Sequence, residues 1–318
     1  MRFLQYTKEI LTRPIHIAPR RCAREECRAG WRNHDTERRE DMAARVEWKP
    51  AAAPVCKWSG GKRQLLPHLI ASRPSRWRRY LEPFVGGGAL FFALGQPDSY
   101  ISDTNAELIN MYRVLRDDVD ALVEHLGRHR NESSYYYAVR AQDPAHLSPL
   151  ERASRLLFLL RVCYNGLWRE NAAGQMNTPF GRYHNPDIVQ EKSLRAAHHV
   201  LKTATIAESD YRAVARLAEP GDWVYLDPPY APVSKTANFT SYTAHGFNWA
   251  DQEAMAQLVR EMGQRGVFVM TSNADVPAIH DLYHGLPIQI VPARRAINSN
   301  PAKRTGITEV IITSYPVS

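Results

Sequence analysis

Residues 80–94 read YLEPFVGGGALFFAL, an apolar strand, a turn carrying Gly86, Gly87 and Gly88, and then an apolar helix. Glycine is required where a backbone takes positive φ or must approach a ligand closely. In a doubly wound sheet the first strand-to-helix turn of this kind opens the ligand crevice. The turn is not a dinucleotide fingerprint, because Phe91 stands where the third glycine belongs. Nor is WSGGKRQ (58–64) a phosphate-binding P-loop, since Lys62 lacks both the upstream glycine at the required offset and the magnesium-holding Ser/Thr. A tight corner without a ligand would satisfy the same glycines, so the next strand carries weight. It ends SYISDTN (99–105) and sets Asp103 at a strand's carboxyl end. A carboxylate there either accepts hydrogen bonds from the two hydroxyls of a ribose or caps the helix that begins near Thr104. Taken with the glycine turn, a bound nucleoside is the better reading.

Outward from this unit, RYLEPF (79–84), SYISD (99–103), TATIAE (203–208), WVYLDPPY (223–230), GVFVMTSN (266–273), IQIVPA (288–293) and EVIITSY (309–315) read as buried strands. Helical patterns occupy 104–126, 186–201, 249–264 and 275–284. The alternation predicts an α/β fold, a doubly wound and mainly parallel sheet of seven strands. The gap between the second and third strands is too long for one crossover. It holds a helical stretch, 133–164, and an Asn/Gly/Pro-rich run, NGLWRENAAGQMNTPFGRY (165–183), with the look of a projecting hairpin. The expected organisation is a catalytic domain in two parts, 51–115 and 203–318, interrupted at 116–202 by a smaller helical domain carrying the hairpin.

Strand WVYL runs into Asp227-Pro228-Pro229-Tyr230. Two consecutive prolines hold the backbone extended and donate no amide hydrogen, which leaves a stiff turn with free carbonyls. An amine on a heteroaromatic ring is a poor nucleophile because its lone pair is delocalised. The Asp227 carboxylate and the Pro228 carbonyl can each accept one of its N–H groups and draw the nitrogen towards tetrahedral geometry, while Tyr230 stacks on the ring. Catalysis by such a corner rests on positioning and electrostatics.

The remaining composition fits this chemistry. The chain has 318 residues, 41 Lys+Arg against 33 Asp+Glu, a formal charge of +8, and 44% hydrophobic residues. These figures describe a globular protein with ample core. A pI near 9.3 suits a polyanionic partner. No apolar run approaches the roughly 20 residues of a membrane span, and the N-terminus lacks the pattern of a secretory signal. Cys22, Cys27, Cys56 and Cys163 show no disulfide framework and suggest a reducing, cytoplasmic setting. Residues 1–41, with ten Lys/Arg and seven Asp/Glu, have no helical or strand period, so 1–50 is expected to be a basic arm, disordered or weakly helical, with Met42 a plausible alternative start. His16, Cys22, Cys27 and His34 do not have structural zinc spacing, and the other histidines form no ligand cluster in the sequence.

At this point the chain from Val55 to about Tyr315 resembles the Dam-type, α-group DNA adenine methyltransferases. KWSGGK (57–62), EPFVGGG (82–88), ISDTN (101–105), YNGLWREN (164–171), NTPFGRY (177–183), DPPYAP (227–232), TANFTSY (236–242), SNAD (272–275) and RRAINSN (294–300) follow the family's order. The resemblance implies a Rossmann-like methyltransferase sheet and methyl transfer from S-adenosyl-L-methionine to N6 of adenine in duplex DNA, with the base flipped out. GATC is the expected site, with no metal, no membrane and no obligatory protein partner. Asp227, Pro228, Pro229 and Tyr230 would be catalytic. Trp58, Lys62, Glu82, Phe84, Gly86, Gly88, Asp103 and Asp227 would hold the cofactor. Tyr164, at the hairpin root, matches an aromatic that fills the space left by the base, and Asn165 follows it. Lys57, Leu167, Arg169, Pro179 and Arg182 match base contacts, and Arg140, Asn171, Asn177 and Ser234 match phosphate contacts. Two positions depart from the family: Gly87 in the turn, and Trp168, bulkier than expected in the hairpin. A methyltransferase acting on RNA or on a protein glutamine shares the DPPY logic, and a catalytically inactive DNA-binding relative would share the shell.

Overall fold

The structure, a computed structural model, describes residues 49–171, 173–231, 247–293 and 307–317. The basic arm, Ser234, and the motifs TANFTSY and RRAINSN lie outside the described residues. Seven strands form one sheet: β1 (Tyr80–Glu82), β2 (Tyr100–Asp103), β3 (Thr205–Glu208), β4 (Trp223–Leu226), β5 (Phe268–Ala274), β6 (Ile288–Ala293) and β7 (Ile307–Thr313), in the order β3-β2-β1-β4-β5-β7-β6. Neighbours from β3 through β5 pair in parallel, and β7 runs antiparallel to both β5 and β6. All seven strands lie where the apolar runs of the sequence place them, and the mainly parallel α/β class is the one observed.

The two faces of the sheet are sorted by the period-2 alternation of its strands. Tyr80, Ile101, Trp223, Tyr225 and Met270 point into one core, while Leu81, Val224, Leu226, Val269 and Val310 point into the other. Because β1 and β4 are covered on both sides, every residue of each is buried, so β4 reads as an unbroken apolar run and β1 departs from one only at Glu82. The first face is covered by α1 (Leu66–Ala71), α2 (Ala89–Leu94) and α3 (Ala106–Asp117), and its core continues without a gap into α4 (Val119–Leu126), α5 (Ser133–Ala141), α6 (Pro149–Val162) and α7 (Glu191–Leu201). The second face is covered by α8 (Tyr211–Leu217), α9 (Trp249–Gln264) and α10 (Pro277–Leu282). All the described residues belong to one compact unit, Trp48–Ser318. No helix among them is long and apolar enough to cross a membrane.

Two stretches that read as single helices are broken. The 104–126 pattern divides at Asp118, whose side chain accepts the Ala121 amide and caps α4. The 133–164 pattern divides into α5 and α6, because Pro149 occupies the first helical position of α6 and Ser148 with Glu151 forms a reciprocal capping box there. The chain order reverses between β1 and β4, which opens a crevice at the carboxyl ends of these two strands. The glycine turn leaves β1 at this crevice and the Asp-Pro-Pro-Tyr turn leaves β4.

Candidate active site

Residues 57–62 reach three parts of the crevice. Lys57 packs its aliphatic stem against Gly166 at the hairpin root, where an added Cβ would lie 2.9 Å from Lys57 Cδ. Trp58 lies against the glycine turn, with its Cδ1 3.0 Å from where a Cβ on Gly86 would sit. Its ring stacks on Trp168, with centroids 6.3 Å apart and planes 17° apart. Lys62 turns the other way, its Nζ donating to the Gly60 carbonyl at 2.5 Å and standing 2.8 Å from Asp227 Oδ1. The same ammonium sits 4.6 Å over the ring of Tyr230, a cation–π contact.

Asp227 follows the last residue of β4 with its side chain only 16% exposed. Burial pushes its carboxyl above the ordinary range, while the Lys62 ammonium and the Ser272 hydroxyl pull it back. Ser272 Oγ donates to Asp227 Oδ1 at 3.0 Å and is itself 2.9 Å from the hydroxyl of Tyr225. The turn is clamped on both sides of Tyr230. Gln252 Nε2 donates to the Pro229 carbonyl at 2.8 Å, and the Ala231 amide donates to Asn273 Oδ1 at 3.1 Å. Asn273 Nδ2 in turn donates to Gln252 Oε1 at 3.0 Å, which joins the two clamps. The Tyr230 hydroxyl donates to Glu309 Oε2 at 2.8 Å. Ser272, Gln252, Asn273 and Glu309 were not among the residues the sequence singled out for the site. Ser272 and Asn273 do fall in the quoted SNAD motif, whereas Gln252 and Glu309 carry no sequence signal beyond a polar residue on an otherwise apolar face or strand.

The glycine turn is held from beneath. Gly86 (φ +45) donates its amide to Asp103 Oδ2 at 3.0 Å, and its carbonyl accepts from the Tyr112 hydroxyl at 2.7 Å. Asp103 Oδ1 accepts the Asn105 amide at 3.0 Å, whereas the cap of α3 is Asn105, which accepts from the Leu108 amide. Asp103 is therefore a turn-organising carboxylate at the end of β2, and the capping reading belongs to its neighbour. Gly88 (φ +64) begins α2 without a side-chain acceptor, and Glu82 supplies one from β1: its Oε2 accepts the Phe91 amide at 3.1 Å and the Tyr80 hydroxyl at 2.8 Å. Glu82 is 3% exposed, and burial pushes its carboxyl up to about 8. Phe84 stacks on Tyr211, with centroids 5.4 Å apart. Of the residues expected at the cofactor, Trp58, Gly86 and Asp103 are in mutual contact through the turn, Glu82 is turned into the scaffold, and Phe84 lies against α8.

The hairpin leaves the end of α6 and returns with two antiparallel bridges, Cys163 to Phe180 and Glu170 to Met176. The Tyr164 amide donates to the Pro179 carbonyl at 2.8 Å, and Gly181 to the Val162 carbonyl at 2.8 Å. The pairing is sparse because side chains take some of the main-chain partners, as where Thr178 Oγ1 donates to the Leu167 carbonyl at 2.7 Å. Asn171 closes the tip on itself, its Oδ1 accepting from the Ala173 and Gln175 amides at 3.0 Å each. Lys57, Tyr164, Asn165, Arg169, Asn171, Asn177, Pro179 and Arg182 are exposed, and Leu167 is half-buried. Tyr164 is 56% exposed, a large aromatic left in solvent. Asn165 (φ +58) and Arg182 (φ +55) hold left-handed conformations at the two ends of the loop. Arg140 donates to the Thr178 carbonyl at 3.0 Å and covers the Tyr137 ring, so it braces the returning strand.

Comparison with known proteins agrees with this arrangement. The family model described as D12 class N6 adenine-specific DNA methyltransferase matches residues 58–297. Type II methyltransferase M1.LlaDCHI of Lactococcus lactis subsp. cremoris is 41% identical over 270 residues, covering 82% of this chain and 95% of that protein. Type II methyltransferase M.MjaIII of Methanocaldococcus jannaschii is 38% identical over 285 residues, covering 82% and 99%. A DNA adenine methylase of Haemophilus influenzae is 33% identical over 264 residues, covering 81% and 92%. With a family match running from Trp58 across the glycine turn, the hairpin and the Asp-Pro-Pro-Tyr corner, the chain belongs to the D12 class of N6 adenine-specific DNA methyltransferases.

Proposed function

We propose that the enzyme transfers the methyl group of S-adenosyl-L-methionine to N6 of an adenine everted from duplex DNA, at GATC. The observation that carries this reading is the clamped corner after β4. A carboxylate, a main-chain carbonyl on a proline-stiffened turn, and an aromatic ring stand together at the strand-order reversal. Both described contacts of Asp227 fall on Oδ1, so Oδ2 is the acceptor for one N–H of the amine. The Pro228 carbonyl accepts the other, and Tyr230 stacks on the ring. Polarising acceptors held in place before the reaction are worth more here than mobile ones.

The residues of the turn suit a cationic sulfonium nucleoside. Gly86 brings main chain against Trp58 at the limit a Cβ would allow, and the half-buried Asp103 and Asp227 supply negative charge at the carboxyl ends of β2 and β4. Trp58, Lys62, Gly86, Gly88 and Asp103 would hold the cofactor, with Glu82 and Phe84 supporting the turn. When bound, the cofactor supplies a methyl group on a sulfonium leaving group.

The target base must leave the stack, at a cost of a few kcal/mol. Tyr164 is the aromatic available to fill the gap. Lys57, Leu167, Arg169, Pro179 and Arg182 are the residues assigned to the bases, and Arg140, Asn171, Asn177 and Ser234 to the phosphates, with Asn165 beside Tyr164 a further DNA-binding residue; most of them fall in a recognition region spanning 116–202. An arginine can bond a guanine edge bidentately, and Leu and Pro can meet a thymine methyl. Mapping methylated adenines on a plasmid recovered from an expressing, methylation-deficient host tests the reading. Modification confined to the adenine of GATC is expected. Modification at another sequence would overturn the site, and a plasmid left unmodified would overturn the activity on DNA in favour of RNA or protein glutamine.

A further inference from the structure

We infer that Glu309 is a positioning residue of the methyltransferase corner, acting through the hydroxyl of Tyr230. The topology explains how a residue so late in the chain reaches the site. The parallel strands end at the crevice, and an antiparallel strand begins there. β7 is antiparallel to both of its neighbours, so its first residues stand beside the last residues of β5 and β6, with Glu309 opposite Ala274 and Val291. Glu309 is a charged, half-buried residue in a strand whose next residues, Val310, Ile311 and Ile312, are buried and apolar. Its Oε2 accepts from the Tyr230 hydroxyl, at 2.8 Å.

The clamps on Pro229 and Ala231 fix the main chain on either side of Tyr230 but leave its side-chain torsions free. The Glu309 carboxylate holds the far end of the ring, and the Lys62 ammonium stands 4.6 Å over one face. A ring held at its base, its tip and one face has its plane set before a substrate arrives, and a ring that must be ordered on binding loses part of that interaction to entropy. A hydrogen bond from the phenol to a carboxylate is also charge-assisted, and so among the stronger kinds.

This inference rests on the adenine reading above, and the test separates the two. Steady-state methylation of a duplex oligonucleotide is measured for the wild type, Glu309→Ala, Glu309→Gln, Tyr230→Phe, and both Glu309 variants combined with Tyr230→Phe. Glu309→Ala is expected to lower kcat/KM about tenfold, the loss of one hydrogen bond to a charged group. Glu309→Gln, which still accepts from a phenol, is expected to recover most of that loss. In the Tyr230→Phe background both substitutions are expected to have almost no further effect, because the hydroxyl through which they act is gone. With 2-aminopurine at the target position, Glu309→Ala is expected to brighten the bound duplex, since an everted base less firmly stacked on Tyr230 is less quenched.

Equal losses in the Tyr and Phe backgrounds would overturn the inference, as would wild-type kinetics for Glu309→Ala. Should the alanine variant fail to fold, Glu309→Gln carries the test: near wild-type kinetics in the Tyr background and no further loss in the Phe background are expected, and a marked loss added to Tyr230→Phe would overturn the inference. A wild-type enzyme inactive on adenine would overturn both readings, whereas an active one with independent effects overturns this one alone.

Discussion

Lys62 Nζ lies 2.8 Å from Asp227 Oδ1 while its charge covers the ring of Tyr230, so one ammonium ties together the two side chains that would grip the base. The pairing sets the ionisation of the corner. Burial raises the Asp227 carboxyl and Lys62 opposes that rise. Removing the ammonium, as in Lys62→Met, lets burial act alone and raises the carboxyl further. If the carboxylate is the working form, the acid limb of the kcat/KM profile moves to higher pH in Lys62→Met and stays near its wild-type position in Lys62→Arg. A pH–rate series on the three proteins measures this directly.

Asp227→Ala removes the acceptor that no neighbour replaces. Its kcat should fall by at least about a hundredfold, the scale seen on losing one preorganised polar group at a reacting centre. Neither core contains Asp227, so the circular dichroism spectrum should stay native. Turnover near the wild-type rate would remove Asp227 from the chemistry.

Glu82 predicts an effect on stability rather than on rate. Its folded-state carboxyl titrates at about 8 and the ordinary value is 4.5, so the folded protein holds a proton that the unfolded chain releases between these limits. The sign follows: the contribution is fully present below pH 4.5 and is lost as pH rises through 8. Within that window one proton is worth about 1.4 kcal/mol per pH unit. Urea titrations should therefore show the stability of Glu82→Gln gaining on the wild type as pH rises from 5 to 8 at a slope approaching about that figure. Parallel curves would mean that the carboxyl is not protonated in the fold.

Gly86→Ala combines a left-handed conformation with a Cβ placed 3.0 Å from the Trp58 ring. The backbone term alone should cost about 1–3 kcal/mol, read as a lower midpoint in thermal or urea unfolding. Because Trp58 must also move, calorimetric affinity for S-adenosyl-L-homocysteine should weaken in the same variant. Gly174, with nothing within 4 Å of an added Cβ but φ +72, is the control for backbone strain without that displacement.

Tyr164 and Arg182 are exposed and outside both cores, so alanine at either should leave stability within about 0.5 kcal/mol. Their expected effects are on DNA. Tyr164→Ala should reduce eversion of a 2-aminopurine target. Arg182→Ala should cut discrimination at one base pair by about 1–3 kcal/mol, measured as kcat/KM on single-substitution duplexes. An unchanged methylation pattern would withdraw Arg182 from recognition.

The parts of this enzyme that were legible in the sequence are those whose constraint is local. β1 and β4 are covered on both faces, so WVYL is apolar throughout and YLE is apolar but for Glu82, whose carboxyl is buried on the Tyr80 hydroxyl and the Phe91 amide, and the glycines and prolines beside them mark backbone that other residues cannot replace. Asp103 was legible as a strand-end carboxylate, whereas the Gly86 and Asn105 amides it accepts, and the cap that Asn105 takes in its place, needed the structure. Glu309, Gln252 and Ser272 were not legible as site residues because their roles depend on register across strands and helices distant in sequence. The break at Asp118 escaped for a different reason: the apolar period carries on across it from α3 to α4, and only the side-chain cap interrupts the helix. The hairpin was legible as a loop with turn residues, but its few bridges depend on Thr178 competing for a main-chain carbonyl.

The way Asn171 seals the hairpin apex has a consequence for how such enzymes diversify. Its described hydrogen bonds stay among residues 171–175, while the root is anchored through Lys57 and Gly166 to the segment whose Trp58 lies against the glycine turn. Exchange of apex residues therefore leaves that anchorage undisturbed, and the apex can change by drift without disturbing the corner that follows β4.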